Sequence, residues 1–262
     1  MKLAILVKYV GTSFEGFQAQ PSGNTIQQHL TSAVSKVFGF PCSVTGCSRT
    51  DSGVHANGFV STVQPADQDM LDTNWCTIPA GRFHRAVLPY LPSDIAVIGA
   101  AFVDDSFHPR YSAIGKEYVY ILKDSPDADP FLRERVWQLR RRINGFELEK
   151  MQSVCDLFVG KHDYHAFMSK GSSVTDTVRN VTSAKVIRDG ETIKFFVSAD
   201  GFLYNMVRIM TGTLVGIAYG EDINVKEALS DGLRDMLGIT APPEGLYLNR
   251  VFYDIPIEFK CE

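Results

Sequence analysis

The order in which strand-like and helix-like periodicities follow one another constrains this chain most, because the same style runs through it twice. Residues 2–10 alternate and are rich in Val, Leu and Ile, as a half-buried strand is, and they lead into a loop holding Gly11, Gly16 and Gly23. Thr25 and Gln28 then form a capping-box pattern ahead of Ile26, Leu30, Ala33, Val34 and Val37, whose helical spacing predicts a helix over one sheet face. Residues 44–48 and 58–63 read as strands on either side of a polar loop, 49–57. A helix over 75–88 and a strand over 95–103 close the first half.

The second half opens with a strand over 117–122 and a Pro- and Asp-rich turn over 124–130. A helix over 148–159, a strand near 181–187, an Asp189-Gly190 hairpin turn, a strand over 193–199 and a helix over 203–217 follow. No sequence repeat is visible, yet two αββ-containing halves predict an α+β protein. The expectation is two ferredoxin-like lobes sharing a continuous, mainly antiparallel sheet, with helices on one face. The change of lobe is expected near Val103, giving residues 1–103 with the Asp51 loop and residues 104–262 with Tyr118 and Arg208, and Asp51 at the groove between them.

The 262 residues are 45% apolar, which suits a packed core in water. The apolar start at 3–7 ends at Lys8, short of a signal-peptide core, and 206–219 is too short to span a bilayer and carries Arg208. A cytoplasmic protein away from membranes is expected. Cys42, Cys47, Cys76, Cys155 and Cys261 form no CxxC pair, so reduced structural thiols fit better than disulfides or a four-ligand metal site.

A net charge of −4 sits awkwardly with nucleic-acid binding, which leans on Lys and Arg. Its distribution eases the conflict: Lys+Arg against Asp+Glu is 6 and 6 over residues 1–102, 15 and 14 over 103–194, and 5 and 10 over 195–262. A basic cleft walled by Arg133, Arg135, Arg140, Arg141 and Arg142 is compatible with this, and so is a solvated strand end.

Asp51 lies among Thr50, Ser52 and Gly53, with Arg49 two positions before it and His55 four after. An Asp in such a loop is more often a turn residue than a nucleophile, so its partners decide. Arg208 interrupts an apolar helix whose core stripe is already supplied by Leu203, Val207, Met210 and Leu214. A half-buried Arg calls for an anion, and Gly212 and Gly216 on the same face leave room for another backbone. The reading is that this face brings the guanidinium to Asp51 and keeps a partly dehydrated carboxylate ionised, as a carboxylate nucleophile requires; a purely structural ion pair is the other reading. Lys116, Tyr118 and Tyr120 share one strand face, either in the core or in a cleft where a Tyr stacks on an unpaired base. The run Lys161, His162, Asp163, Tyr164, His165 lacks further metal ligands and reads as RNA contact or capping.

Taken together, SRTDSGVHA at 48–56, LPSDIAV at 91–97, FHPRYSAIGKEYVY at 107–120, FVGKHDYHAF at 158–167, FLYNMVR at 202–208 and EGLYLNRVFYD at 244–254 resemble the TruA family of tRNA pseudouridine synthases over nearly the whole chain. The resemblance implies the pseudouridine synthase fold and the isomerisation of uridines 38, 39 and 40 in the tRNA anticodon stem-loop. It also implies a homodimer, with neither cofactor nor metal. It makes Asp51 the nucleophile, Arg49 the arginine that expels or holds the target nucleotide, Tyr118 the active-site tyrosine and Arg208 the arginine paired with the carboxylate. Lys116, His55 and Arg110 fall in the same segments and are expected at the substrate. Two departures are Cys47-Ser48, where the family often has Ala-Gly, and Arg85-Ala86-Val87, where an Asn often precedes the LP segment.

Uridine and pseudouridine are isomers, so the reaction needs no redox partner or energy source, in keeping with the lack of P-loop and dinucleotide fingerprints. Attack by Asp51 at C1′ of the ribose or C6 of the uracil would both give a covalent intermediate, and either Tyr118 or a released Asp51 could take the C5 proton. Two rivals are a noncatalytic RNA-binding module, which leaves Asp51 with Arg208 unexplained, and a carboxylate hydrolase. The hydrolase would need Asp67 or Asp69 to converge on Asp51.

Overall fold

A computed structural model describes residues 1–21, 23–71, 74–171 and 174–261. The chain divides into two compact units, residues 1–114 with 248–262, and residues 115–247. The division thus falls after Ile114 rather than near Val103, and the end of the chain returns to the first unit.

In the first unit the alternating start forms β1 (Lys2–Tyr9), with Leu3, Ile5 and Val7 wholly buried. Helix α1 (Ile26–Phe38) buries Ile26, Leu30, Ala33 and Val34, and Gly39 ends it in the left-handed region at φ 77°. Its cap differs from the expected reciprocal box. Thr25 Oγ1 accepts the Gln28 N–H at 3.4 Å but donates to Gln28 Oε1 at 2.6 Å, while the Gln28 amide reaches the Gln20 carbonyl at 3.0 Å. Strands β2 (Cys42–Gly46) and β3 (His55–Pro65), helix α2 (Ala80–Val87) and strand β4 (Ile95–Val103) complete a β-α-β-β-α-β unit. Its antiparallel order is β4, β1, β3, β2, the ferredoxin-like arrangement. Helix α2 starts five residues later than the apolar pattern implies, because Pro79 keeps Ile78 out of the helical region. Trp75 instead packs in the core and donates from Nε1 to the Met1 carbonyl at 3.3 Å.

The second unit has a related but longer order, with β5 (Ala113–Lys123), β6 (Trp137–Gln138), α3 (Gly145–Phe158), β7 (Gly160–Asp163), β8 (Val178–Asp189), β9 (Thr192–Ala199), α4 (Met206–Ala218) and α5 (Val225–Asp231). Its antiparallel sheet runs β5, β9, β8, β7, with β6 parallel to β5. The class is therefore α+β with mostly antiparallel pairing, as the pattern implies. The last strand, β10 (Leu246–Tyr253), lies beside β3, where Asn57 donates to Asn249 Oδ1 at 3.1 Å. Helix α3 begins three residues before its apolar spacing, on a true capping box: Asn144 Oδ1 accepts from Glu147 N at 3.0 Å and Glu147 Oε2 from Asn144 N at 2.8 Å. The Asp189-Gly190 turn joins β8 to β9, with Gly190 at φ 61°.

Asp124, the first residue of the expected exposed turn, is instead buried, its side chain 1% exposed. Both of its oxygens take the Arg188 guanidinium, at 3.1 and 2.8 Å, and Oδ2 also accepts the Ile143 N–H at 3.0 Å. Of the five arginines proposed for a basic wall, Arg141, exposed like the rest, is engaged by neighbours on its own unit. It pairs with Glu147 at 2.9 Å, donates to the Ala218 carbonyl at the end of α4 at 3.1 Å and lies 4.4 Å from the Tyr219 ring. Arg133, Arg135, Arg140 and Arg142 are exposed. The five cysteines form no disulfide among the described residues, and burial pushes the Cys42 thiol up to about 11, which leaves it protonated and unreactive. Among the described residues no helix is long and apolar enough to cross a membrane.

Removing one partner of the Asp124–Arg188 pair strands a largely buried charge together with the Ile143 N–H. Asp124→Ala should cost about 3–5 kcal/mol in a urea titration of the folded chain. Surface-like tolerance, with a cost under about 0.5 kcal/mol, would show that the pair carries nothing.

Candidate active site

The Asp51 loop is short and tied down on both sides. Residues 49–54 connect β2 to β3 once Cys47, wholly buried, has paired its N–H with the Val60 carbonyl at 2.9 Å. Thr50 is held twice: its hydroxyl lies 2.7 Å from the Tyr9 hydroxyl in the core, and its carbonyl accepts the Phe17 N–H at 3.0 Å. Ser52 donates to the Phe14 carbonyl at 3.1 Å, and the Val54 N–H closes a turn on the Asp51 carbonyl at 3.2 Å. Arg49 is exposed and Asp51 half-buried, so the chain lifts a carboxylate and a guanidinium to the surface from a fixed backbone.

The glycines of the preceding loop make this packing possible. A Cβ on Gly11 would sit 1.9 Å from the Val54 carbonyl oxygen, and one on Gly16, at φ 91°, would sit 2.5 Å from the Thr50 carbonyl oxygen. His55, expected at the substrate, is the first residue of β3 and has no exposed surface; its Nδ1 accepts the Gly11 N–H at 2.9 Å. It is placed to bind the two loops to each other.

In the second unit Arg208 is half-buried in the first turn of α4. Its Nε donates to the Ala241 carbonyl at 2.7 Å and one terminal nitrogen to Asn205 Oδ1 at 2.8 Å. The backbone admitted by Gly212 is the 238–241 segment. A Cβ on Gly212 would meet the Ile239 oxygen at 1.8 Å, and Ala241 N–H donates to the Arg208 carbonyl at 3.1 Å. Asn205 itself holds the left-handed conformation at φ 62° and donates to Ser169 Oγ at 2.9 Å. The guanidinium is thus aimed by two neutral carbonyl groups.

On β5, Tyr120 is core: it is fully buried and donates to the Pro242 carbonyl at 2.6 Å, and burial raises its phenol far above the ordinary range. Tyr118, on the same face, is 7% exposed and meets the Phe202 ring edge-on at 5.0 Å, while Lys116 is half-buried opposite Ala199. Arg110 is exposed, in a turn before β5. In the 161–165 run, Asp163 caps the His165 N–H at 2.9 Å and accepts the Thr177 hydroxyl at 2.6 Å, so capping is its role. Sequence reasoning missed Tyr9, Gly11 and Asn205 as supports. Asn205 stood in a quoted motif, but nothing in the pattern gave its backbone conformation.

A model of the tRNA pseudouridine synthase family matches residues 5–112 and 154–254. The chain belongs to the tRNA pseudouridine synthase family. It is 39% identical over 253 residues to tRNA pseudouridine synthase A 2 of Clostridium perfringens, covering 96% of this chain and 99% of that one. It is 40% identical over 253 residues to tRNA pseudouridine synthase A of Clostridium botulinum strain Eklund 17B, with the same coverage. The synthases of this family are isomerases, and the chain is one of them.

Because Gly11 leaves no room for a methyl group beside Val54, Gly11→Ala must push the Asp51 loop outward. It should lower kcat at least tenfold, an effect of about 1.4 kcal/mol or more, and lower the melting temperature. Unchanged kcat, with the variant folded by circular dichroism, would show that the tight loop packing has no part in activity.

Proposed function

We propose that this synthase isomerises uridines 38, 39 and 40 in the anticodon stem-loop of tRNA, with Asp51 as nucleophile. The observation that supports this is the Asp51 loop: an accessible carboxylate on a backbone fixed by Tyr9, Phe14 and Phe17, inside the segment that matches the family. The carboxylate forms a covalent adduct with the nucleotide, at C1′ or at C6. The C1′–N1 bond breaks, the uracil turns, C5 bonds to C1′, the bond to Asp51 breaks and frees the carboxylate, C5 gives up its proton and N1 gains one, so the atoms balance without a cofactor. Arg49 fills the gap left by the extruded nucleotide, Tyr118 stacks on the uracil, and Arg208 stabilises the ionised carboxylate. Lys116 and Arg110 contact the substrate, and His55 acts through the loop it anchors. We assign the protein to the cytoplasm and to a homodimer that holds one tRNA across its subunits.

A noncatalytic RNA-binding module and a hydrolase give no exchange at C5. Incubation with tRNA tritiated at uridine C5 should therefore release tritium to water with the wild-type chain. Asp51→Asn should abolish release while tRNA still binds, since binding rests on dispersed phosphate contacts; normal release by that variant would falsify the nucleophile assignment.

Arg208→Ala removes donors from Ala241 and Asn205 as well as the charge. It should lose activity and about 1–3 kcal/mol of stability. Full tritium release by Arg208→Ala would sink its role.

A further inference from the structure

The turn before β5 presents an aromatic ring in a way that packing does not account for. Tyr111 is 77% exposed, yet its turn is held at several points. His108 N–H donates to Ser112 Oγ at 3.0 Å, and Ser112 N–H returns to the His108 carbonyl at 2.9 Å, closing the turn. His108 Nδ1 accepts the N–H groups of both Arg110, at 3.1 Å, and Tyr111, at 3.2 Å. Tyr253 donates to the Pro109 carbonyl at 2.8 Å, and Lys2 to the Phe107 carbonyl at 3.1 Å. Burial and the charges of Lys2 and Arg110 hold the imidazole below its ordinary range, which keeps Nδ1 an acceptor at neutral pH.

On this fixed turn the His108 ring lies 4.3 Å from the Tyr111 ring, and the Arg110 guanidinium 5.7 Å from its centre. Of the acids on this side of the unit, Asp104 accepts from Ser106 at 2.6 and 2.8 Å and Asp105 pairs with the amino group of Met1 at 2.8 Å. A preset aromatic face with a guanidinium at its rim matches an unpaired base and the phosphate beside it.

We infer that Tyr111 is a stacking platform for an unpaired nucleotide of the tRNA, with Arg110 on the adjoining phosphate and His108 fixing the turn that presents them. This rests on the tRNA-modifying reading above and adds to it a contact away from the reacting base. Losing one base stack weakens RNA binding roughly 5- to 150-fold, so Tyr111→Ala should raise KM for the tRNA by about that factor, with the effect on KM rather than kcat.

The test is steady-state tritium release from C5-tritiated tRNA by the full chain, with sedimentation of each variant alongside. Tyr111→Phe keeps the ring and should recover most of the loss. Arg110→Ala should weaken binding and flatten its salt dependence by about one phosphate contact. Unchanged KM in Tyr111→Ala, or a Phe variant as impaired as the Ala variant, would overturn the platform. So would a change in oligomeric state with KM untouched, since Tyr111 would then serve a protein contact. No release by the wild-type chain would sink the reading beneath it instead, so the two failures are distinct.

Discussion

Everything chemical in the first unit depends on two loops touching without side chains between them. Where Gly11 and Gly16 meet Val54 and Thr50, backbone lies on backbone, and the atoms that hold it are a tyrosine hydroxyl, a threonine hydroxyl and an imidazole drawn from β1, the Asp51 loop and β3. A carboxylate on a long polar loop would lose its position to thermal motion. Here it inherits the rigidity of the sheet, because the residues before and after it are hydrogen-bonded to the core side of the fold.

The arginine in the second unit is held by the same logic with different parts. Asn205 in the left-handed region, a residue type that tolerates it, and the Ala241 carbonyl fix two of the guanidinium's nitrogens. Both acceptors are uncharged, so the arginine is oriented while its positive charge stays uncompensated by those two groups. The close approach at Gly212 brings in the 238–241 strip that supplies one of them.

The periodicities in the sequence carried the secondary structure well, since strand 95–103 and the Asp189-Gly190 hairpin need only local rules. What they missed has physical causes. Helix α3 starts on polar capping residues that an apolar count does not see, and Pro79 delays α2 through the residue before it. Asp124 looked like a turn residue because its partner Arg188 lies sixty-four positions away, a distance no local pattern spans. The same holds for the candidate residues: Asp51, Arg49, Arg208 and Tyr118 stand out in the sequence as unusual residues. That His55 would face inward, and that Tyr9 and Asn205 would do the holding, follows only from tertiary contacts.

The position of β10 bears on how the chain is made. Its Asn249 lies against Asn57 and Gly58 at the start of β3, so the strand that leads out of the Asp51 loop gains its last neighbour from the end of the polypeptide. On the ribosome, β3 emerges roughly ten to forty seconds before β10 at ordinary elongation rates, and for that interval the part of its edge not covered by β2 is unpaired. The nascent chain is therefore exposed to sticking to its neighbours after the Asp51 loop has been synthesised and before the sheet beside it is complete.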